Sequence, residues 1–180
     1  MKFQQIRSAL SVVEFAGVRF MIDPMLAPKN TYPTFPYTCV TGEGNPTTEL
    51  PVPLESLFDV DAVIVTHLHL DHFDDTAREV LPKSLVLFAQ SEEEATQLRG
   101  WGFADVRVLL EEGVEFEGVR LYKTRCEHGE GDPVTSDFYD VMGFSGEACG
   151  VVFEATESER QPESFRFYLA GDTVFCEYVE

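Results

Sequence analysis

Three of the four histidines in this 180-residue chain fall within six positions, in the run Thr66-His67-Leu68-His69-Leu70-Asp71-His72. Neutral imidazole together with carboxylate is the ligand set of zinc and similar transition ions. His67 and His69 are two apart, so on extended backbone both rings point the same way. Asp71 and His72 follow where the chain must turn. Two groups of ligands on opposite sides of one tight loop suit two cations close enough to share a hydroxide. The bland alternative is a polar surface turn that happens to be rich in histidine. The apolar run Asp61-Ala62-Val63-Ile64-Val65 argues against it. A buried strand would otherwise deliver a dense cluster of desolvated imidazoles for no gain.

Two further residues sit at strand ends. His128 follows the β-rich run Val119 to Thr124 and precedes Gly129, Gly131 and Pro133. Asp172 lies in Tyr168-Leu169-Ala170-Gly171-Asp172-Thr173, just past another apolar run. Alone, each is a weak signal, and an aspartate at a strand end is commonly a turn former. Together with the cluster they make up a ligand set.

The run from Thr66 to His72 resembles the HxHxDH motif of the metallo-β-lactamase fold superfamily. His128-Gly129 is similar to its third metal-binding motif, and Gly171-Asp172-Thr173 to its bridging-aspartate motif. More narrowly, Ile22-Asp23-Pro24, His128-Gly129-Glu130-Gly131 and Met142-Gly143-Phe144-Ser145-Gly146 resemble a subgroup of zinc-dependent hydrolases that includes ascorbate-phosphate lactonase. The resemblance implies an α/β fold, a four-layer αββα sandwich. It implies that His67, His69 and His128 form a first metal site, that Asp71 and His72 belong to a second, and that Asp172 bridges. Zinc, as one or two ions, is the implied cofactor, and His/Asp sites also accept manganese or iron(II). The implied activity is attack of a metal-bound hydroxide on a small ester, lactone or phosphoester, with Asp71 orienting water or handling protons.

The family fold continues beyond the aspartate motif and carries one more histidine for its second metal. This chain ends eight residues after Asp172 and has no fifth histidine. The expectation is therefore a single domain over residues 1–180 that lacks the C-terminal part of the sandwich. The second metal should be under-ligated. The apolar runs Ile64-Val65, Leu85 to Phe88 and Phe165 to Leu169 should want cover on both faces, which predicts a homo-oligomer or a second chain supplying the remainder. The alternative function is a non-catalytic or incomplete metal-binding module that needs such a partner.

The elements that must position these residues are legible in outline. Leu10 to Phe15 and Val18 to Ile22 flank Ala16-Gly17 and read as a hairpin, stopped by Asp23-Pro24. From Pro24 to Pro53 the chain is irregular and proline-rich, with Tyr32, Phe35 and Tyr37 as apolar anchors. That segment either packs near the site or merely covers a sheet edge. Thr76 to Leu81 reads as a short helix stopped by Pro82, and Leu85 to Ala89 as a strand. Ser91 with Glu94 forms a capping box opening a helix to Arg99, and Glu92-Glu93-Glu94 reads as its solvated start. Val106 to Leu110, Val119 to Thr124, Gly150 to Ala155 and Phe165 to Ala170 read as further strands, and Trp101 and Phe103 as core anchors. Strands interleaved with helices, then strands alone, predict a sheet with helices on one face and a second sheet on the other.

Composition narrows the function. With 13 basic and 32 acidic residues the formal charge is −19, which excludes a general nucleic-acid binder and opposes docking on anionic lipid. It also sets the chain apart from the RNA-processing nucleases of the superfamily, which use a basic groove. A flavodiiron-type redox enzyme resembles HxExDH, whereas position 69 here is histidine. No run has the apolar length of a membrane span, and Met1 to Phe15 lacks the apolar core of a secretory signal. Cys39, Cys126, Cys149 and Cys176 are scattered without a CxxC pair, which fits a reducing cytoplasm. Cys126, two residues before His128, reads as a buried inert thiol.

Overall fold

The computed structural model describes residues 1–34, 42–128, 148–155 and 165–173. Strands β1 (Lys2–Arg7), β2 (Leu10–Phe15), β3 (Val18–Ile22), β4 (Ala62–Val65), β5 (Val86–Ala89) and β6 (Asp105–Val108) form one sheet in sequence order. The β1-β2 and β2-β3 pairs are antiparallel, and β3 through β6 run parallel. Parallel neighbours need crossovers, and two are supplied by α1 (Asp75–Val80) and α2 (Glu92–Gly100). Strands β7 (Val114–Phe116), β8 (Val119–Thr124), β9 (Gly150–Ala155) and β10 (Phe165–Leu169) form a second, antiparallel sheet in the order β10-β9-β8-β7.

The pleat of β4 shows the layering. Val63 and Val65 pack with Ala77 and Leu81 at α1 and with Ala95 and Leu98 of α2. Ala62 and Ile64 face the other way, toward Val119 and Leu121 of β8 and Val151 and Phe153 of β9. Helices therefore cover one face of the first sheet, and the second sheet covers its other face. Phe20 locks the two sheets together with its ring edge-on to Phe153 at 5.3 Å. Strands buried on both faces read as continuous apolar runs, which is why β4 and β5 stand out in the sequence.

Several boundaries differ from the sequence reading. β1 and the short β7 were not foreseen: Lys2-Phe3-Gln4-Gln5 is exposed and mostly polar, so it carries no apolar signal. α1 begins a residue earlier than expected because Asp74 caps it, its side chain accepting from Ala77 N at 2.7 Å. β10, expected to be covered on both faces, leaves Phe165 and Tyr168 exposed. Phe103 is a core anchor as expected, and Trp101 stacks on Phe73 at 5.9 Å.

The irregular segment after β3 is tied down close to the histidine loop. Met25, Leu26 and Ala27 are buried, and Ala27 N donates to Asp74 Oδ2 at 2.6 Å. The Arg7 guanidinium donates to the carbonyls of Met25, Ala27 and Thr48. Tyr32 Oη accepts from Asp75 N at 3.2 Å. Of the two readings of this segment, packing near the site is the one these contacts favour. Phe35, Tyr37 and Cys39 lie outside the described residues, as do Gly129, Glu130, Gly131, Pro133, Met142 to Gly146 and Cys176.

Candidate metal centre

β4 ends at Val65, and the next seven residues carry most of the centre. His69 O accepts from both His72 N at 2.9 Å and Phe73 N at 2.8 Å, which closes a tight turn and brings His72 back beneath His67. The His67 ring lies 4.2 Å from His69, 4.0 Å from His72 and 5.0 Å from His128, centroid to centroid. His67, His69 and His72 are 1%, 8% and 2% exposed, while His128 and Asp172 are half-buried.

The candidate ligands fall into two overlapping groups. One ligand atom each from His67, His69 and His128 lie within 4.8 Å of one another, and the same holds for His67, His72 and Asp172. In the first group His128 Nε2 is 3.3 Å from His69 Nδ1. In the second, His72 Nε2 is 3.1 Å from Asp172 Oδ2. Asp71 stands beside both groups, 35% exposed, with Oδ2 3.9 Å from His72 Nε2. Five of the six ligands expected from the sequence are thus gathered, and Asp71 adjoins them at His72 without belonging to either group.

The donor set fits a divalent transition ion. His67 Nε2 is buried and has no hydrogen-bond partner among the described residues, a costly state for a polar atom unless it has another use. Burial, with the charges of His72 and His69, drives the His67 imidazole down to about 2, so it stays a neutral ligand. His72 shifts the other way. Burial opposes its charge, but Asp23 and Asp172 on either side override burial and hold the ring well above its ordinary value. Burial would raise the Asp172 carboxyl, yet the hydrogen bond from His72 wins and lowers it to about 2. Ligation through His72 requires loss of its proton, so metal binding at the second group competes with protons.

Two carboxylates to which the sequence reading assigned no role at the site support the loop. Asp23, at the end of β3, is buried in the left-handed region at φ +46°. Its Oδ1 accepts from Thr66 N at 2.8 Å, and its Oδ2 from Thr66 Oγ1 at 2.9 Å and from His72 Nδ1 at 3.0 Å. Such partners fix ring orientation in metal sites. The Ile22-Asp23-Pro24 segment was read as the end of a strand and as part of the narrower resemblance, and nothing local in it signalled which residues Asp23 would meet far along the chain. Glu94 corrects the reading of a solvated helix start. It is 8% exposed, and Oε1 accepts from Leu68 N at 3.2 Å and Gln90 Nε2 at 3.3 Å. It thereby holds the peptide between His67 and His69. Burial pushes its carboxyl up to about 7. The capping contact itself is present, Glu94 N donating to Ser91 Oγ at 3.2 Å.

The second sheet delivers the remaining ligands. Gly171 (φ +63°) precedes Asp172, and a Cβ there would lie 2.6 Å from Cys149 O. Only glycine lets the chain pass that close to β9. Glu127 N donates to Thr173 Oγ1 at 3.0 Å, joining the His128 segment to the Asp172 segment. Cys126 is half-buried rather than buried, whereas Cys149 is fully buried with its thiol pushed up by burial.

A family described as a β-lactamase superfamily domain matches residues 18–180. UPF0173 protein YddR of Bacillus subtilis (strain 168) is 45% identical over 181 residues, spanning 100% of this chain and 66% of YddR. The structure of an isothiocyanate hydrolase from Delia radicum gut bacteria superposes with a TM-score of 0.84 at 38% identity, covering 99% of this chain and 66% of that one. A possible metal-dependent hydrolase from Veillonella parvula DSM 2008 gives 0.84 at 38% identity, over 98% of this chain and 64% of that one. The chain thus spans slightly under two thirds of the length of these relatives. The architecture is the α/β metallo-β-lactamase-like sandwich expected from the HxHxDH run.

Proposed function

The chain belongs to the β-lactamase superfamily, and from that premise we propose that it is a metal-dependent hydrolase acting on a small ester, lactone or phosphoester. The observation that carries the proposal is the convergence of His67, His69 and His128, one ring nitrogen of each within 4.8 Å of the others, with His67 Nε2 buried and lacking a hydrogen-bond partner among the described residues. A fold does not crowd three imidazoles together, two of them buried, unless a ligand offsets their desolvation.

His67, His69 and His128 would hold one cation, and His72 with Asp172 a second, Asp172 bridging the two. Zinc suits this donor set, and manganese or iron(II) also match it. When bound, the cation supplies Lewis acidity and makes a water acidic enough to act as nucleophile near neutral pH. Asp71 is the residue assigned to proton handling. Burial raises its carboxyl, which suits a group that must take a proton. Hydrolysis of an ester consumes one water and releases one acid and one alcohol. Asp71 takes the proton from the attacking water and returns it to the departing alkoxide.

The similar isothiocyanate hydrolase supports a small electrophilic substrate. The narrower resemblance to ascorbate-phosphate lactonase favours a lactone within that class. A reducing cytoplasm belongs to the proposal on the cysteine spacing. So does a homo-oligomer or companion chain, supported by the exposed Phe165 and Tyr168 of β10 and tested by light scattering. The position of Asp71 outside both ligand groups favours a second reading, a non-catalytic metal-binding module.

The test is hydrolysis of p-nitrophenyl acetate, a simple lactone and bis(p-nitrophenyl) phosphate with zinc, manganese or iron(II), repeated after chelation. The expected result is turnover of at least one substrate that disappears with the metal. Metal binding without turnover of any would leave the module.

A further inference from the structure

Thr66 stands directly before the histidine run, and its hydroxyl touches three groups at once. Oγ1 lies 2.9 Å from Asp23 Oδ2, 3.2 Å from His67 Nδ1 and 3.3 Å from His72 Nδ1. A hydroxyl has one hydrogen to donate and lone pairs to accept with. The Asp23 carboxylate only accepts, and its other oxygen already takes Thr66 N–H at 2.8 Å. The Thr66 hydrogen is therefore committed to Asp23, as is the Nδ1 hydrogen of His72 at 3.0 Å, and toward the His67 ring Oγ1 is an acceptor. His67 Nδ1 must then carry the ring hydrogen.

A neutral imidazole carries only one N–H, so His67 Nε2 is left as a bare lone pair. That buried atom has no hydrogen-bond partner among the described residues. The opposite tautomer would bury an N–H with no acceptor and would set the Nδ1 lone pair against that of Oγ1. The choice matters for the whole centre, because His67 is the residue common to both ligand groups. We propose that Thr66, oriented by Asp23, is a positioning residue that fixes the His67 ring tautomer and so makes Nε2 its metal-ligating atom. A histidine that ligates a metal does so as neutral imidazole, the form in which the tautomer has a meaning.

The inference builds on the metal-centre reading, but its first readout needs no metal. Long-range 1H–15N correlation of the imidazoles in metal-free, 15N-labelled protein reports directly which ring nitrogen is protonated. In wild type, His67 should show protonated Nδ1 and bare Nε2; protonated Nε2 overturns the proposal. Thr66→Val keeps the side-chain shape and removes the acceptor. It should move the His67 ring shifts toward a mixture of tautomers and weaken zinc binding by about 10- to 100-fold in a chelator competition. Thr66→Ser should restore both. Wild-type ring shifts and zinc affinity in Thr66→Val would overturn the idea. If that variant does not fold, the wild-type and Thr66→Ser spectra still decide it. A wild type with the stated tautomer that binds no zinc would sink the hydrolase reading and the ligand assignment, and would leave Thr66 as tautomer-setting alone.

Discussion

The two sheets support their shares of the metal centre differently. On the six-stranded sheet, His67, His69 and His72 are buried and their loop is gripped from both sides. Asp23 takes Thr66 and His72, while Glu94 takes the Leu68 peptide. On the four-stranded sheet, His128 and Asp172 are half-buried, and their segments are tied by the Glu127–Thr173 hydrogen bond and the close passage of Gly171 over Cys149. The first region is held by hydrogen bonds from β3 and α2 to the loop itself. The second is placed by the packing of one sheet on the other. Groups buried and hydrogen-bonded in advance lose little freedom on binding, so affinity should reside in the first region. The second region should adjust the site at little cost to the fold.

The largest effect should come from removing the shared ligand. His67→Ala combined with His69→Ala should abolish metal retention, read by elemental analysis of purified protein. Equal metal in variant and wild type would break the assignment of both groups.

Next is the grip itself. Asp23→Ala strips the acceptor from three buried donors and should destabilise the metal-free chain by about 3 kcal/mol in urea unfolding. Asp172→Ala, half-exposed, should cost under about 1 kcal/mol in the same measurement. Similar losses for the two would erase the contrast between the sheets.

Glu94 adds a pH signature. Its carboxyl is raised from 4.5 to about 7. The folded state therefore holds this proton where the unfolded chain has already lost it. The stabilisation is fully present below pH 4.5 and is lost as pH rises from there to about 7. Glu94→Gln keeps an oxygen for Leu68 N and lacks the titration. Relative to pH 4, it should gain on wild type by on the order of 2 kcal/mol at pH 8 in metal-free unfolding. Parallel stability curves for the two proteins would show that burial does not raise this group.

The smallest effect on the fold should follow Asp71→Asn. The side chain is 35% exposed, so stability should stay within about 1 kcal/mol of wild type. Metal-dependent hydrolysis should nevertheless fall by about 100-fold or more. An active Asp71→Asn enzyme would take Asp71 out of proton handling.

Much of the first region could be read from the sequence. The hairpin Leu10–Phe15 and Val18–Ile22 has the bounds its apolar pattern implied, and β8 and β9 do likewise. The dense spacing of His67, His69 and His72 at the end of an apolar strand pointed to their joint use. β1 and β7 escaped because one is polar and exposed and the other only three residues long. Glu94 escaped because a glutamate in the first turn of a helix has a sufficient local explanation, the helix dipole and the capping box. Its burial comes from the packing of α2 beside the histidine loop.

The sequence by itself determined the chemistry on offer: imidazoles and carboxylates at strand ends, in an order that names their superfamily. It did so because ligand type and local spacing are properties of neighbouring residues. Only the tertiary structure decided which groups meet. Asp23 reaches Thr66 because β3 and β4 pair in parallel, Met21 opposite Val63 and Ile22 opposite Ile64, so that both strands end together. His128 reaches His69 because the second sheet packs across the face of the first. Contacts between residues so far apart in the chain depend on sheet order and register. Those follow from burying two apolar faces at once, and no short stretch of sequence encodes them.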